Sequence, residues 1–202
     1  MNGSYYARPG QTLESHLKET SELARNFAEI FQSGEWGRLA GLWHDLGKYS
    51  DDFQNKLSGM NIFTEHSGAG AYFALSKHKR FGLPLAFAIA GHHTGLSNIK
   101  KTETGLPRPL EDRVRNNKKA FKIIENIIPD EITNHKFPDF PPFITSVSNK
   151  DDKKLRLEFW IRFLFSSLID ADRLNSMIAG HGDAKIQLKR QYQDISQLRD
   201  KL

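Results

Sequence analysis

Between Leu13 and Phe31 the apolar residues fall three and four positions apart, and that spacing returns in segment after segment of the chain. Leu13, Leu17, Leu23, Ala24, Phe27, Ile30 and Phe31 share one helical face, with Thr12 as its N-cap and Gly34 as its stop. Trp36, Leu39, Ala40, Leu42, Trp43 and Leu46 make a second face that closes at Gly47. Residues 65–79, 84–93, 109–128 and 151–179 read as further helices, with Pro84 suited to a first helical position. Gly68 and Gly70 are poor helix formers, so their presence predicts close packing. Alternation of period two is nearly absent. The expected architecture is therefore all-α, a single-domain helical bundle over residues 1–182. The polar, Gly/Pro-punctuated stretches 94–109 and 136–150 are expected as surface loops. Leu155, Phe159, Ile161, Phe163, Leu164, Phe165, Leu168 and Ile169 leave the 151–179 helix almost no polar face, which predicts burial in the middle of the bundle. Residues 183–202 read as a polar amphipathic C-terminal helix that trails from the core.

Eight histidines interrupt this pattern unevenly. His78 lies between two lysines and reads as a solvated surface residue. His135 approaches a polar loop, and His181, between Gly180 and Gly182, reads as a helix end. The other five stand on or beside apolar faces. His16 occupies the inner face of the first helix, His44 follows Trp43, His66 opens the 65–79 helix, and His92 and His93 end the apolar 84–93 helix. A lone histidine in such a place is more often a satisfied core residue than a ligand. Five of them, with Asp45 adjacent, pose a different problem. Burying so many imidazoles and a carboxylate is unfavourable unless something pairs with them. A cation does so, because neutral imidazole and carboxylate are natural ligands of divalent metals.

The late helix adds Asp170 and Asp172. Two positions apart on a helix they point about 200° from each other, so only one faces a common centre, and the spacing leaves open which. His44 and Asp45, as helical neighbours, diverge by about 100° and share a centre only if it lies between their directions. A carboxylate can bridge two ions, which two-metal hydrolytic sites hold about 3.5–4 Å apart. The predicted arrangement gives one ion His16, His44, Asp45 and a late aspartate, and the other Asp45, His66, His92 and His93. Two such ions activate water and stabilise the charge of a phosphoryl transition state. The ligand types admit Mn, Fe, Co, Ni, Zn or Mg. Lys48 either approaches this cleft, to stabilise a phosphate oxygen or the leaving group, or is an ordinary solvated lysine at a helix end.

Cysteine is absent, which excludes disulfides, thiolate metal sites and cysteine nucleophiles and fits a reducing cytoplasm. No apolar run approaches the ~20 residues of a membrane span. The first ten residues lack a basic-then-apolar leader, so a cytoplasmic protein without a membrane partner is expected. The formal net charge is +5. Residues 100–122 hold eight basic and three acidic side chains, so that segment alone carries the whole excess. It begins close after His92-His93. Lys100, Lys101, Arg108, Arg113 and Arg115 therefore predict a surface that grips a nucleic-acid backbone through its phosphates. The competing reading is a solvated helix face. Stacking aromatics are not obvious in the segment, which weighs against base recognition.

The ordered set His16, His44-Asp45, Lys48, His66, His92-His93 and Asp172 resembles the HD superfamily of metal-dependent phosphohydrolases. Trp43-His44-Asp45-Leu46-Gly47-Lys48, Glu65-His66-Ser67 and Gly91-His92-His93-Thr94-Gly95 look like its CRISPR-associated branch, the nuclease domain of the type I interference helicase-nuclease. Ala171-Asp172-Arg173-Leu174 resembles the family's closing aspartate motif, and this favours Asp172 over Asp170. The resemblance implies a helical fold of the HD type and a divalent-metal-dependent nuclease, usually with two ions, acting on single-stranded DNA. It also implies a helicase domain or subunit and the CRISPR surveillance complex as partners. The sequence departs from that pattern at one point. No Gly-x-x-x-x-Gly-Lys-Ser/Thr loop occurs, so a stand-alone nuclease or an excised domain is expected, with 183–202 as a possible linker toward a helicase. The alternatives are a phosphohydrolase of small nucleotides, which needs much the same ligands, and a non-catalytic docking domain.

Overall fold

A computed structural model of the chain describes residues 4–100 and 108–181. Helix α1 (Leu13–Glu29) starts where the Thr12 hydroxyl accepts from the Ser15 backbone N–H at 3.3 Å, and it buries Leu13, Leu17, Ala24 and Ala28 on one face. Gly34 is not its stop. The chain turns at Gln32, whose φ of 56° is left-handed, and Gly34 already opens α2 (Gly34–Trp43), which packs along α1. Helix α2 ends at Trp43, short of the expected Gly47. A 3-10 turn (Leu46–Tyr49) follows, then a helix that the sequence reading missed, α3 (Asp51–Leu57), capped by the Ser50 hydroxyl.

Helices α4 (Ser67–Lys77) and α5 (Lys79–Gly91) are separated by His78 alone. Its Nδ1 accepts from the backbone N–H groups of Arg80 and Phe81, each at 3.2 Å. This cap moves the start of α5 ahead of the expected residue 84 and leaves Pro84 inside the helix. The helical bond that Pro84 cannot donate would have gone to the carbonyl of Arg80, an exposed residue whose oxygen water can satisfy. The close packing expected around Gly70 is present: a Cβ there would stand 1.8 Å from the Trp43 carbonyl oxygen. Gly70→Ala must push α4 off the end of α2 and is expected to cost about 3 kcal/mol. A lowered urea midpoint checks it.

Helix α6 (Leu110–Ile124) and the short α7 (Asp130–Thr133) and α8 (Pro142–Thr145) lead to α9 (Lys150–His181). The 136–150 segment is more than a surface loop. Ile144 is buried, Phe140 stacks on Trp36 with ring centroids 5.2 Å apart, and the Trp36 indole N–H donates to the Asp139 carbonyl at 3.0 Å. Helix α9 also departs from expectation. Trp160, Leu164, Leu168 and Ala171 form its buried stripe, whereas Leu155, Phe159 and Phe163 are each more than half exposed. An apolar sequence all round a helix predicts burial all round, but here one stripe is fully buried, Leu157, Ile161 and Phe165 pack against the core only in part, and Phe163 touches Phe31 while remaining largely exposed.

The all-α reading holds with one small addition, an antiparallel pair of β1 (Tyr6–Arg8) and β2 (Gln11–Thr12) that turns at Gly10. Among the described residues no helix is long and apolar enough to cross a membrane. The stretch 183–202 lies outside the described residues.

Candidate metal centre

The early end of α2 matters most for the site. His44, the cap of α2, keeps helical dihedral angles, but Asp45 has left them with φ −114° and ψ 22°. The 100° divergence of helical neighbours therefore does not apply, and the two side chains meet, His44 Nε2 lying 3.2 Å from Asp45 Oδ2. The turn that carries Asp45 and Lys48 lies against the start of α4. A Cβ on Gly47 would stand 2.3 Å from the His66 carbonyl oxygen, so glycine is what permits this approach.

Five elements converge on Asp45. On one side, His16 Nε2 from α1 is 3.2 Å from both His44 Nε2 and Asp45 Oδ2. Asp172 Oδ1 from α9 is 3.5 Å from His16 Nε2 and 3.8 Å from His44 Nε2. On the other side, Asp45 Oδ1 is 3.5 Å from His66 Nε2 at the head of α4 and 3.4 Å from His92 Nε2 at the tail of α5. His93 Nε2 is 2.7 Å from His66 Nε2. Within each of the two groups, His16, His44, Asp45 and Asp172, and Asp45, His66, His92 and His93, one candidate ligand atom per residue lies within 4.8 Å of all the others. Asp45 belongs to both. Asp170 faces away, exposed, and lines an outer groove with Phe163 and Arg173.

Hydrogen bonds behind the rings fix which nitrogen faces inward. Nδ1 of His16 is 2.7 Å from Asn175 Oδ1, Nδ1 of His44 is 2.8 Å from the Gly41 carbonyl, and Nδ1 of His92 is 2.6 Å from the Ile89 carbonyl. Each partner is an acceptor, so each Nδ1 carries a hydrogen and each Nε2 is the nitrogen turned to the centre, where it ligates a metal once free of its own proton. The Nε2 atoms of His16 and His44 and the carboxylates of Asp45 and Asp172 then crowd together 3.2–3.8 Å apart, an arrangement that needs a proton or a cation between them. Asp45 Oδ1 and His92 Nε2 are buried without any hydrogen-bond partner. Such a cluster fits a metal ion, which satisfies all these atoms at once.

The electrostatics agree. Burial works against charge on His44, but the carboxylates of Asp45 and Asp172 outweigh it and hold the imidazole up at about 10. Burial pushes the Asp45 carboxyl up, and the positive groups of His44 and Lys48 overcome this and hold it well below the usual carboxylate range. Asp172 is lowered in the same way, burial being outweighed by its contact with His44. In the other half, burial drives His66 and His93 down to about 4, against the pull of Asp45. The carboxylate half calls for positive charge, and the histidine half offers neutral donors.

Lys48 is not a solvated lysine. It is 8% exposed, and its Nζ is 2.7 Å from Asp45 Oδ2. The basic segment divides. Lys100, Arg108 and Arg115 are exposed, Arg115 pairing with Asp112, and Lys101 lies outside the described residues. Arg113 is no part of such a surface, being 7% exposed. It donates to the Ala90 carbonyl, to Thr94 Oγ1 at 2.9 Å, to Ser67 Oγ at 2.9 Å and to Glu65 Oε1 at 3.3 Å. It thereby ties the residues before His92 to those around His66.

Three other supporting residues, Asn175, Gln11 and Glu19, escaped the sequence reading. Asn175 Oδ1 also accepts from Gln11 Nε2 at 2.9 Å, and its Nδ2 donates to Glu19 Oε2 at 2.6 Å, which locks the amide orientation that holds His16. Their polar residue types are common on surfaces, and no short-range spacing links them. Asn175→Ala is expected to weaken divalent-metal affinity about tenfold to a hundredfold while leaving the helical circular dichroism intact. Calorimetric titration with Mn²⁺ checks it.

Compared with known families, the chain matches a family model described as HD domain over residues 13–127. No curated protein matches it.

Proposed function

The chain belongs to the HD domain family, a family of metal-dependent phosphohydrolases, and from that premise we propose that it is a nuclease cleaving single-stranded DNA. The observation that carries the proposal is the carboxylate of Asp45, shared by two groups of metal-ligand side chains. In this reading His16, His44, Asp45 and Asp172 hold one divalent ion, and Asp45, His66, His92 and His93 hold a second. When bound, the ions supply a water nucleophile at neutral pH and positive charge at the phosphoryl oxygens. The protein's own part is positional and electrostatic. The Nδ1 bonds of His16, His44 and His92 aim the ligating nitrogens before substrate arrives. Burial of Asp45 and His44 keeps bulk water from screening the charges. Lys48, paired with Asp45, brings a cation to the edge of the centre, where it stabilises the leaving oxygen.

A polymeric substrate is favoured over a free nucleotide by the exposed basic residues Lys100, Arg108 and Arg115, on the segment that follows His92-His93. The motif resemblance points to the CRISPR-associated branch, with a helicase and the surveillance complex as partners that present the strand. The test is incubation of the chain with circular single-stranded DNA and, separately, with nucleoside monophosphates, in Mn²⁺, Ni²⁺ or Mg²⁺. Cutting of the circle that stops in EDTA supports the nuclease. Turnover of the monophosphates alone replaces it with a small-nucleotide hydrolase.

A further inference from the structure

Arg8 is a further cation near the centre, apart from Lys48 and Arg113. It stands at the end of β1, in a hairpin fastened from several sides. The Gln54 side-chain amide accepts from the Tyr6 backbone N–H at 3.1 Å and donates to the Tyr6 carbonyl at 3.0 Å and to the Lys48 carbonyl at 2.7 Å. The Leu13 backbone N–H donates to the Tyr5 carbonyl at 2.8 Å, and Gln11, paired with Arg8 across the hairpin, reaches Asn175. The backbone beneath Arg8 is thus tied to Lys48 and to the support of His16.

The side chain itself is poorly partnered. Arg8 Nη2 approaches Asp172 Oδ1 only to 4.0 Å, beyond hydrogen-bond range, and Nε is buried with no acceptor. Its guanidinium makes no hydrogen bond to any described residue. Guanidinium groups removed from water normally have their donors filled, and a planar fork matches phosphate oxygens in pairs. The side chains of Arg8 and Asp172 are 24% and 18% exposed, whereas His16, His44 and Asp45 are sealed, so the centre is accessible at the Arg8–Asp172 edge. Lys48 is already engaged by Asp45. Among the described residues, Arg8 is thus a cation at an accessible edge whose guanidinium has no hydrogen-bond partner.

We propose that Arg8 binds the substrate phosphate directly at the Asp172 edge of the centre, a role that rests on the phosphohydrolase reading of the site. Its fork offsets the repulsion between that phosphate and the Asp45 and Asp172 carboxylates, and it orients the phosphodiester toward the ligand cluster.

The test uses the full chain loaded with Mn²⁺ and reads inorganic phosphate binding by calorimetry beside metal content by elemental analysis. Arg8→Ala is expected to weaken phosphate binding about tenfold or more, with metal content and melting temperature unchanged, and Arg8→Lys to recover part of the loss. If the chain cuts DNA, the same variant raises KM more than it lowers kcat. Unaltered phosphate affinity in Arg8→Ala overturns the proposal. So does loss of metal in step with loss of phosphate binding, because Arg8 would then act only by holding Asp172. Phosphate binding is read without any DNA, so failure of the nuclease assay leaves this test standing.

Discussion

Asp45→Asn is expected to reduce phosphodiester hydrolysis by about a thousandfold or more, which corresponds to a loss of roughly 4 kcal/mol of transition-state stabilisation. The size follows from position. Asp45 is the one residue common to both ligand groups, so its neutralisation weakens both together. The amide keeps the shape of the carboxyl, and burial, which opposes the Asp45 charge, no longer does so. The variant is therefore expected to fold. Single-turnover cleavage rates and elemental analysis check the two halves of this expectation. Folded protein with little metal and little activity is the predicted result. Its melting temperature is expected to become insensitive to EDTA, whereas chelation lowers that of the parent protein, since a ligand bound only to the native state stabilises it.

Arg113→Ala is expected to destabilise the protein by about 3 kcal/mol or more, because it strands a buried network rather than removing one contact. Glu65, Ser67, Thr94 and the Ala90 carbonyl all accept from this guanidinium, and Asn117 Nδ2 joins Glu65 at 2.7 Å. Burial raises the Glu65 carboxyl, but its bonds from Ser67 and Asn117 and the charge of Arg113 together hold it below the usual value. Without Arg113 the carboxylate loses its cation, and the heads of α4 and α6 and the tail of α5 lose their common tie. Denaturant unfolding reads the stability. Arg113→Lys keeps the charge without the fork and is expected to recover only part of it.

How much of this was legible in the sequence depends on the range of the signal. The helices could be read because apolar spacing is local, and the histidines stood out because they occupy positions where that spacing asks for a hydrophobe. The end of α2 was not legible, since Leu46 and Gly47 continue the helical pattern past the point where the chain leaves it. The β1–β2 hairpin is too short to alternate. Arg113 was read as surface because a charge total averages over all faces of a helix, and only the tertiary structure separates Arg113 from its exposed neighbour Arg115. Asn175, Gln11 and Glu19 were invisible for a related reason. Each is an ordinary polar residue until α9 returns to α1 and brings them together. The preference for Asp172 over Asp170 came from the motif; in the structure Asp172 lies beside His16 and His44, and Asp170 is exposed.

The convergence on Asp45 also bears on how the chain acquires its shape. Position 16 and position 172 lie near opposite ends of the described chain, with contributions from the end of α2, the head of α4 and the tail of α5 between them. No partly folded intermediate lacking α9 can assemble the complete constellation. Contacts so distant in sequence raise the entropic cost of closing the native topology. An ion bound there joins the first long helix to the last, so that its release and the undocking of α9 become linked equilibria. The buried carboxylate is a chemical group in the centre and, equally, the point at which the topology closes.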